Sequence, residues 1–126
     1  MHDVTIDPRG GPLAVEIVVT RGQPGGYRLF LWDARRTKQR GVAAGITTDR
    51  TPGRCALPVT AARAVGRIVE WNVVVEGELG DPYDLTLKLL QDGRPLRAGR
   101  VRYRGELEAR ELAVIGMARF VARERA

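Results

Sequence analysis

The chain contains no serine, a single histidine and a single cysteine, so most of the residues that enzymes use as nucleophiles and bases are missing. A Ser-His-Asp triad is therefore excluded. Cys55 would meet a histidine base only if it contacted His2, which lies in the terminal segment. Judged against what a catalytic site requires, these absences predict a protein without catalytic residues.

Metal and cofactor motifs are scarce as well. A structural zinc site takes about four Cys, His or carboxylate ligands, and Cys55 and His2 supply only two of the soft ones. Neither a G-x-x-x-x-G-K-[ST] loop nor a G-x-G-x-x-G turn between a strand and a helix is present. We expect no metal and no cofactor.

Several absences bear on location and size. The longest uncharged apolar run, residues 112–118, is far shorter than the roughly 20 residues that span a bilayer. Residues 1–8 have neither a basic start nor an apolar stretch of signal-peptide length. One cysteine cannot close an intramolecular disulfide, which is typical of a reducing compartment. We expect a cytoplasmic protein of one domain, residues 1–126, with a flexible N-terminal segment at residues 1–11.

Strict alternation of apolar and polar residues is the strongest signal that is present. It runs over residues 84–89 and again over residues 100–104, on either side of an Asp92-Gly93 pair. Because successive side chains of a strand point to opposite faces, this pattern predicts a β-hairpin with one dry and one wet face. Similar periods at residues 13–20, 27–32 and 69–76 predict three more strands.

Other segments are less regular. Residues 42–47 are interpreted as a short strand, and residues 49–58, which carry two prolines, as irregular chain. Residues 106–126 have helix-forming composition, but their apolar side chains would spread around the whole helical wheel. We therefore interpret residues 110–122 as a last strand. Its uncharged stretch could pair with the edge of another chain.

These segments predict an all-β protein, a two-layer antiparallel β-sandwich of about 7–8 strands. Trp71, in a central predicted strand, resembles the buried core tryptophan of immunoglobulin-like domains. Asp81-Pro82-Tyr83 before an alternating strand is similar to the Ser-Asp-Pro-Tyr segment of C2 domains, which hold calcium against lipid headgroups with loop aspartates. The architecture is thus expected to be immunoglobulin-like or C2-like.

The calcium chemistry of C2 domains does not follow from the residues themselves. Calcium takes six to eight oxygen ligands, as a rule, and Asp81 with Asp84 supply too few. We interpret the segment as a turn opened by Asp-Pro, with Tyr83 anchoring the start of a strand.

Two sets of residues are candidate binding surfaces. Phe30 and Trp32 share one face of their strand, where they would form a sugar platform or a subunit contact if exposed, and core if covered. The second set is basic. Its members, which could contact phosphates or simply keep sheets from pairing at their edges, are Arg35, Arg36, Lys38, Arg40, Arg100, Arg102 and Arg104.

The sequence therefore favours a non-catalytic interaction or structural module that self-associates, or docks a protein partner, through sheet faces or edges. The alternative is binding of a polyanion, either nucleic acid or an acidic membrane, through the arginine-rich surfaces. The net charge of +6 is carried almost wholly by arginine, since Lys38 and Lys88 are the only lysines among 21 basic residues.

Overall fold

The computed structural model describes residues 1–46 and 53–124, and these residues form two β-sheets and one short helix. The elements in chain order are β1 (His2–Ile6), β2 (Leu13–Arg21), β3 (Gln23–Trp32), β4 (Gln39–Ile46), β5 (Gly53–Ala56), α1 (Ala61–Ala64), β6 (Ile68–Glu76), β7 (Pro82–Gln91), β8 (Arg94–Glu106) and β9 (Glu111–Ala122).

The strands are divided between a five-stranded sheet and a four-stranded sheet. The five-stranded sheet has the order β1-β9-β6-β3-β4, and the four-stranded sheet the order β5-β2-β7-β8. Each pairing is antiparallel except that of β1 with β9, which is parallel. At the two sides of the molecule β1 lies beside β8 and β4 beside β5. The predicted all-β sandwich is confirmed.

Period-two alternation separates a dry inner face from a wet outer face in each sheet. In β6, Val69, Trp71, Val73 and Val75 are at most 1 % exposed, whereas Glu70 on the opposite side is only half-buried. Inward residues of β2 and β7 meet them in one apolar cluster. The alternation in the sequence thus becomes the interior of the sandwich.

Trp71 fills the centre of that interior and connects the two sheets. Its indole Nε1 donates a hydrogen bond to the hydroxyl of Tyr103 on β8, 3.0 Å away. Its cross-strand partner in β9 is Gly116. A Cβ at position 116 would lie 2.4 Å from the Trp71 ring, so only glycine leaves room for the indole.

The β7–β8 hairpin turns where the sequence predicts it. Asp92 and Gly93 both have positive φ angles, 54° and 74°, as a two-residue type I′ turn requires. The Asp92 carboxylate also accepts a hydrogen bond from the Gly11 amide at 3.1 Å. The hairpin is thereby held against the connection between β1 and β2.

The N-terminal segment differs from the sequence expectation. Residues 1–11 were expected to be flexible, but within them β1 forms an edge strand in parallel register with β9. Val4 and Ile6 are buried, and the side chain of Gln91 bonds both the amide and the carbonyl of Asp7. Two apolar residues are too short a pattern to reveal a strand whose partner lies more than 110 positions away.

One further expectation is corrected and another is confirmed. Residues 49–58 were interpreted as irregular chain, yet β5 lies there and pairs with β2, while residues 49–52 lie outside the described residues. The last segment is a strand, as predicted, and it pairs with β6 on one side and with β1 on the other. The register with β1 covers only Ala118–Ala122, so pairing of the uncharged stretch with another chain stays a prediction.

Replacing Gly116 by alanine should destabilise the protein by about 1–3 kcal/mol, because the new methyl group forces the Trp71 indole from its position. Gly26→Ala is the matched control, since a Cβ there meets only the Gly45 carbonyl oxygen at an ordinary 3.6 Å. Urea denaturation of both variants measures the difference. Equal stabilities would contradict the packing described for Trp71.

Candidate functional site

The outer face of the four-stranded sheet carries a net positive charge. Register places Arg54, Glu16, Lys88 and Arg100 in one row across all four strands. We call this surface the cationic face; its charged residues are Arg21, Arg54, Lys88, Arg100, Arg102, Arg104, Glu16, Asp84 and Glu106. Six basic and three acidic residues give it a net charge of 6 − 3 = +3.

Half of these cations are paired. Glu16 lies 3.2 Å from the Arg54 guanidinium and 4.0 Å from the Lys88 ammonium. Asp84 accepts two hydrogen bonds from Arg102, at 3.0 and 2.6 Å. Arg21, Arg100 and Arg104 make no ion pair with any residue in the described ranges. Three guanidinium groups on one face are therefore available to an anion.

Asp84 lies among three of the arginines. The hydrogen bonds from Arg102 hold the pKa of the Asp84 carboxyl below its usual range, and the charges of Arg102, Arg104 and Arg21 act in the same direction. A groove of about 550 Å³ opens beside this group, lined also by Tyr83 and Glu106. This end of the cationic face is thus concave.

The two predicted basic sets lie on different sheets. Arg100, Arg102 and Arg104 share the outer face of β8, and Arg102 forms an ion pair with Asp84 on β7. The other set spans the connection from β3 to β4 and the start of β4 in the five-stranded sheet. The structure does not bring the two sets together into one surface.

The basic connection is ordered by Asp33. Its carboxylate accepts hydrogen bonds from the amides of Thr37 and Lys38, at 2.6 and 3.1 Å, and from the Thr37 hydroxyl. These bonds, that of the hydroxyl first, lower the pKa of Asp33 to about 2. Arg36, at a positive φ of 57°, places its guanidinium 5.8 Å from the centre of the Trp32 ring. This basic set is therefore partly committed to contacts within the loop.

Sequence reasoning missed three members of the cationic face. Lys88 was placed on the polar side of its strand but was not linked to the arginines. Arg54 belongs to the unpredicted strand β5, so no sequence pattern placed it. Arg21 has the odd-numbered parity of the inward residues of β2, and a regular strand would turn it into the core. A β-bulge after Val19 reverses its direction.

The outer face of the five-stranded sheet is more apolar. We call it the apolar face, and its members are Phe30, Trp32, Ile46, Val74, Ile115 and Met117. Ile46 and Ile115 are 74 % and 58 % exposed, whereas Phe30 and Trp32 are half-buried. The sequence left two alternatives for Phe30 and Trp32, an exposed platform and a covered core. Their half-buried position lies between the two.

Trp32 makes several contacts within its own chain. Its indole Nε1 donates to the Glu70 carboxylate at 3.1 Å, and its carbonyl accepts a hydrogen bond from Arg67 at 3.1 Å. Its cross-strand neighbour Ile68 is fully buried although it faces outward. Trp32 therefore has a structural role in covering Ile68, and only part of its ring surface is open to a partner.

A depression of about 370 Å³ opens on the same outer face, and its lining includes Arg28, Ala44, Asn72 and Val74. The Asn72 Oδ1 atom is buried and has no hydrogen-bond partner among the described residues. The apolar face thus contains one unsatisfied acceptor within a surface of small and apolar side chains.

The other reactive or ligand-forming side chains singled out above, Asp81 and Cys55, make hydrogen bonds within the fold. The Asp81 carboxylate accepts a hydrogen bond from the Glu78 amide at 2.8 Å, within the turn before β7. The Tyr27 hydroxyl lies 3.2 Å from the Cys55 sulfur, and this contact, with burial, raises the pKa of Tyr27 to about 12. Within the described ranges, no cluster of three or more His, Cys, Asp or Glu side chains is placed to hold a metal ion, and no helix could span a membrane.

In comparisons with known proteins, no family model, no curated sequence and no solved structure matched the chain. The all-β sandwich rests on the structure itself. The immunoglobulin-like or C2-like assignment stays a prediction.

Trp32→Ala should cost less stability than Trp71→Ala. Trp71 is 1 % exposed, and its truncation should cost about 3–5 kcal/mol because a large cavity remains between the sheets. Trp32 is half-buried, so the loss of its contacts with Glu70 and Ile68 should cost about 1–2 kcal/mol. Chemical denaturation of both variants tests this order. Equal losses would mean that Trp32 belongs to the core and not to a binding surface.

Proposed function

We propose that this protein is a non-catalytic binding module whose cationic face binds the phosphate groups of nucleic acid. The observation that carries the proposal is the net charge of +3 on one sheet face, with Arg21, Arg100 and Arg104 unpaired among the described residues. Arginine binds phosphate through its planar fork of donors. Unpaired guanidiniums on one surface attract polyanions and release their counterions.

The other side chains of this face favour contact with the backbone rather than with bases. Between the charged rows lie Val18 and Thr86, and the charged residues themselves include no aromatic group. Bases of single strands bind chiefly by stacking on aromatic side chains. Tyr83 lines the groove, but it is half-buried and packs against the core, so it offers little ring surface for stacking. The proposal is therefore binding of duplex nucleic acid without sequence preference.

The dimensions of the face suit several phosphates. Side chains on one face of a strand recur about every 6.6 Å, and neighbouring strands lie about 4.8 Å apart. The ladder from Arg100 to Arg104 is then about 13 Å long, and the row from Arg54 to Arg100 about 14 Å. A surface of this size can contact a few consecutive phosphates of one duplex, whose charges are closely spaced along the axis.

The salt dependence of duplex binding tests the proposal. With three unpaired arginines, the logarithm of the binding constant for a labelled 20-base-pair DNA should fall with a slope of about −3 against the logarithm of the salt concentration. Arg100→Glu with Arg104→Glu should reduce affinity strongly. Arg35→Glu with Arg63→Glu changes the net charge equally, at two exposed positions away from the face, and should have a much smaller effect.

Three outcomes would overturn it. Equal losses of DNA affinity in the two double variants would mean that only the net charge of the protein matters. Unchanged affinity in Arg100→Glu with Arg104→Glu would mean that the cationic face contacts only solvent. Binding to vesicles containing phosphatidylserine, with no binding to DNA, would assign the face to an acidic membrane.

A second candidate function is self-association into a homo-oligomer through the apolar face. Ile46 and Ile115 are largely exposed there, and exposed apolar groups that share a face mark binding sites in soluble proteins. Arg28 and Glu70 lie on neighbouring strands of the same face. A two-fold axis through it can therefore set the arginine of one copy against the glutamate of the other.

Light scattering at high protein concentration tests self-association. Ile115→Lys should convert a dimer to a monomer, because it places a charge at the centre of the contact. Leu79→Lys is the matched control: Leu79 is 72 % exposed but lies in the turn before β7, so its replacement should leave the mass unchanged. A wild-type protein that stays monomeric would refute this second function.

A further inference from the structure

The bulge in β2 gives the cationic face a local feature that its charge alone does not. Val19 pairs with Leu85, and the next pair is Arg21 with Asp84, so Thr20 is an extra residue on β2. The extra residue turns Arg21 from the inner to the outer face. Bulges of this kind commonly re-aim a side chain beside a functional site.

Register then places Arg21 and Arg104 on the two sides of Asp84. Arg21 pairs with Asp84 across β2 and β7, and Arg104 pairs with Asp84 across β7 and β8. Two strand spacings separate them, about 10 Å between their Cα atoms, a distance that two arginine side chains can close together. Both line the groove of about 550 Å³ at this end of the sheet.

The carboxylate of Asp84, which lies between these two arginines, already accepts hydrogen bonds from another residue. Both oxygens of Asp84 accept hydrogen bonds from Arg102, and Thr20 donates its hydroxyl to the Asp84 carbonyl at 3.2 Å. Arg21 and Arg104 make no ion pair within the described part of the chain. One carboxylate thus lies among three guanidiniums and is hydrogen-bonded by only one of them.

We propose that Arg21 and Arg104 form a discrete oxyanion site that binds one phosphate group, with the Asp84–Arg102 pair as its floor. The groove is lined by three arginines and two carboxylates, since Glu106 lies at its wall, and its net charge is 3 − 2 = +1. This inference rests on the proposed function for the source of the ligand, a phosphate of the nucleic-acid backbone. Beyond that function, it identifies Arg21 and Arg104 as the two residues that contact the phosphate.

Titration with inorganic phosphate tests the site, with the Nε–H signals of the arginines followed by NMR. The signals of Arg21 and Arg104 should shift together with one dissociation constant, and Arg21→Gln or Arg104→Gln should weaken binding about tenfold or more. Arg63→Gln is the matched control, at an exposed position away from the cationic face, and should leave phosphate affinity unchanged. All three side chains are exposed, so urea midpoints should confirm that the variants fold.

Asp84→Asn gives a test of opposite sign. The substitution removes a carboxylate that repels phosphate and frees Arg102, so phosphate should bind more tightly than to the wild type. If Arg21 and Arg104 serve only to balance the charge of Asp84, the wild type will not bind phosphate, and binding will appear only in this variant.

The outcomes separate the site from the proposed function. Duplex binding without any phosphate binding would overturn the site and leave the cationic face as a diffuse surface. Phosphate binding at Arg21 and Arg104 without duplex binding would support the site and refute nucleic acid as the partner. Equal weakening by Arg63→Gln would overturn the claim that two particular arginines form it.

Discussion

The indole of Trp71 is the side chain that both sheets must accommodate. It occupies the middle of the interior, bonds Tyr103 on the facing sheet and requires a glycine at position 116 on the neighbouring strand. Its own strand is then fixed in register, because a shift by one residue would bury Glu70 and Glu76 and expose the valines. The direction of each outward residue on β6 follows from this packing.

Once the inner faces are fixed, the two outer faces are free to differ in chemistry. The outer face of the four-stranded sheet collects arginines, while that of the five-stranded sheet collects isoleucine and aromatic groups. Charged side chains cost little on a wet face, so neither surface is demanded by the stability of the sandwich. This freedom is the physical reason to look for function on the outer faces and not in the core.

Sequence patterns predicted the strands and turns that are determined by residues close together in the chain. The turn at Asp92-Gly93 followed from turn chemistry and strand β6 from alternation. The strand character of β9 followed from the spread of its apolar residues around a helical wheel. Strand β1 was missed because its partner is distant, and β5 because four residues carry too little pattern. The arginine ladder of β8 was predicted to share a face, but its ion-pair partner depended on the register of β7 and could not be read from the chain.

Arg21 shows most clearly why the candidate site could not be completed from sequence. Its position along β2 has the parity of the buried residues Leu13, Val15, Ile17 and Val19, and alternation alone would assign it inward. One extra residue in the strand reverses that assignment and brings the guanidinium beside Asp84. An inward arginine would carry an unpaired charge into the apolar interior, at a cost of several kcal/mol. The bulge removes that cost and places the charge on the same side of the sheet as Arg104, so the irregularity that protects the core also adds an arginine to the groove beside Asp84.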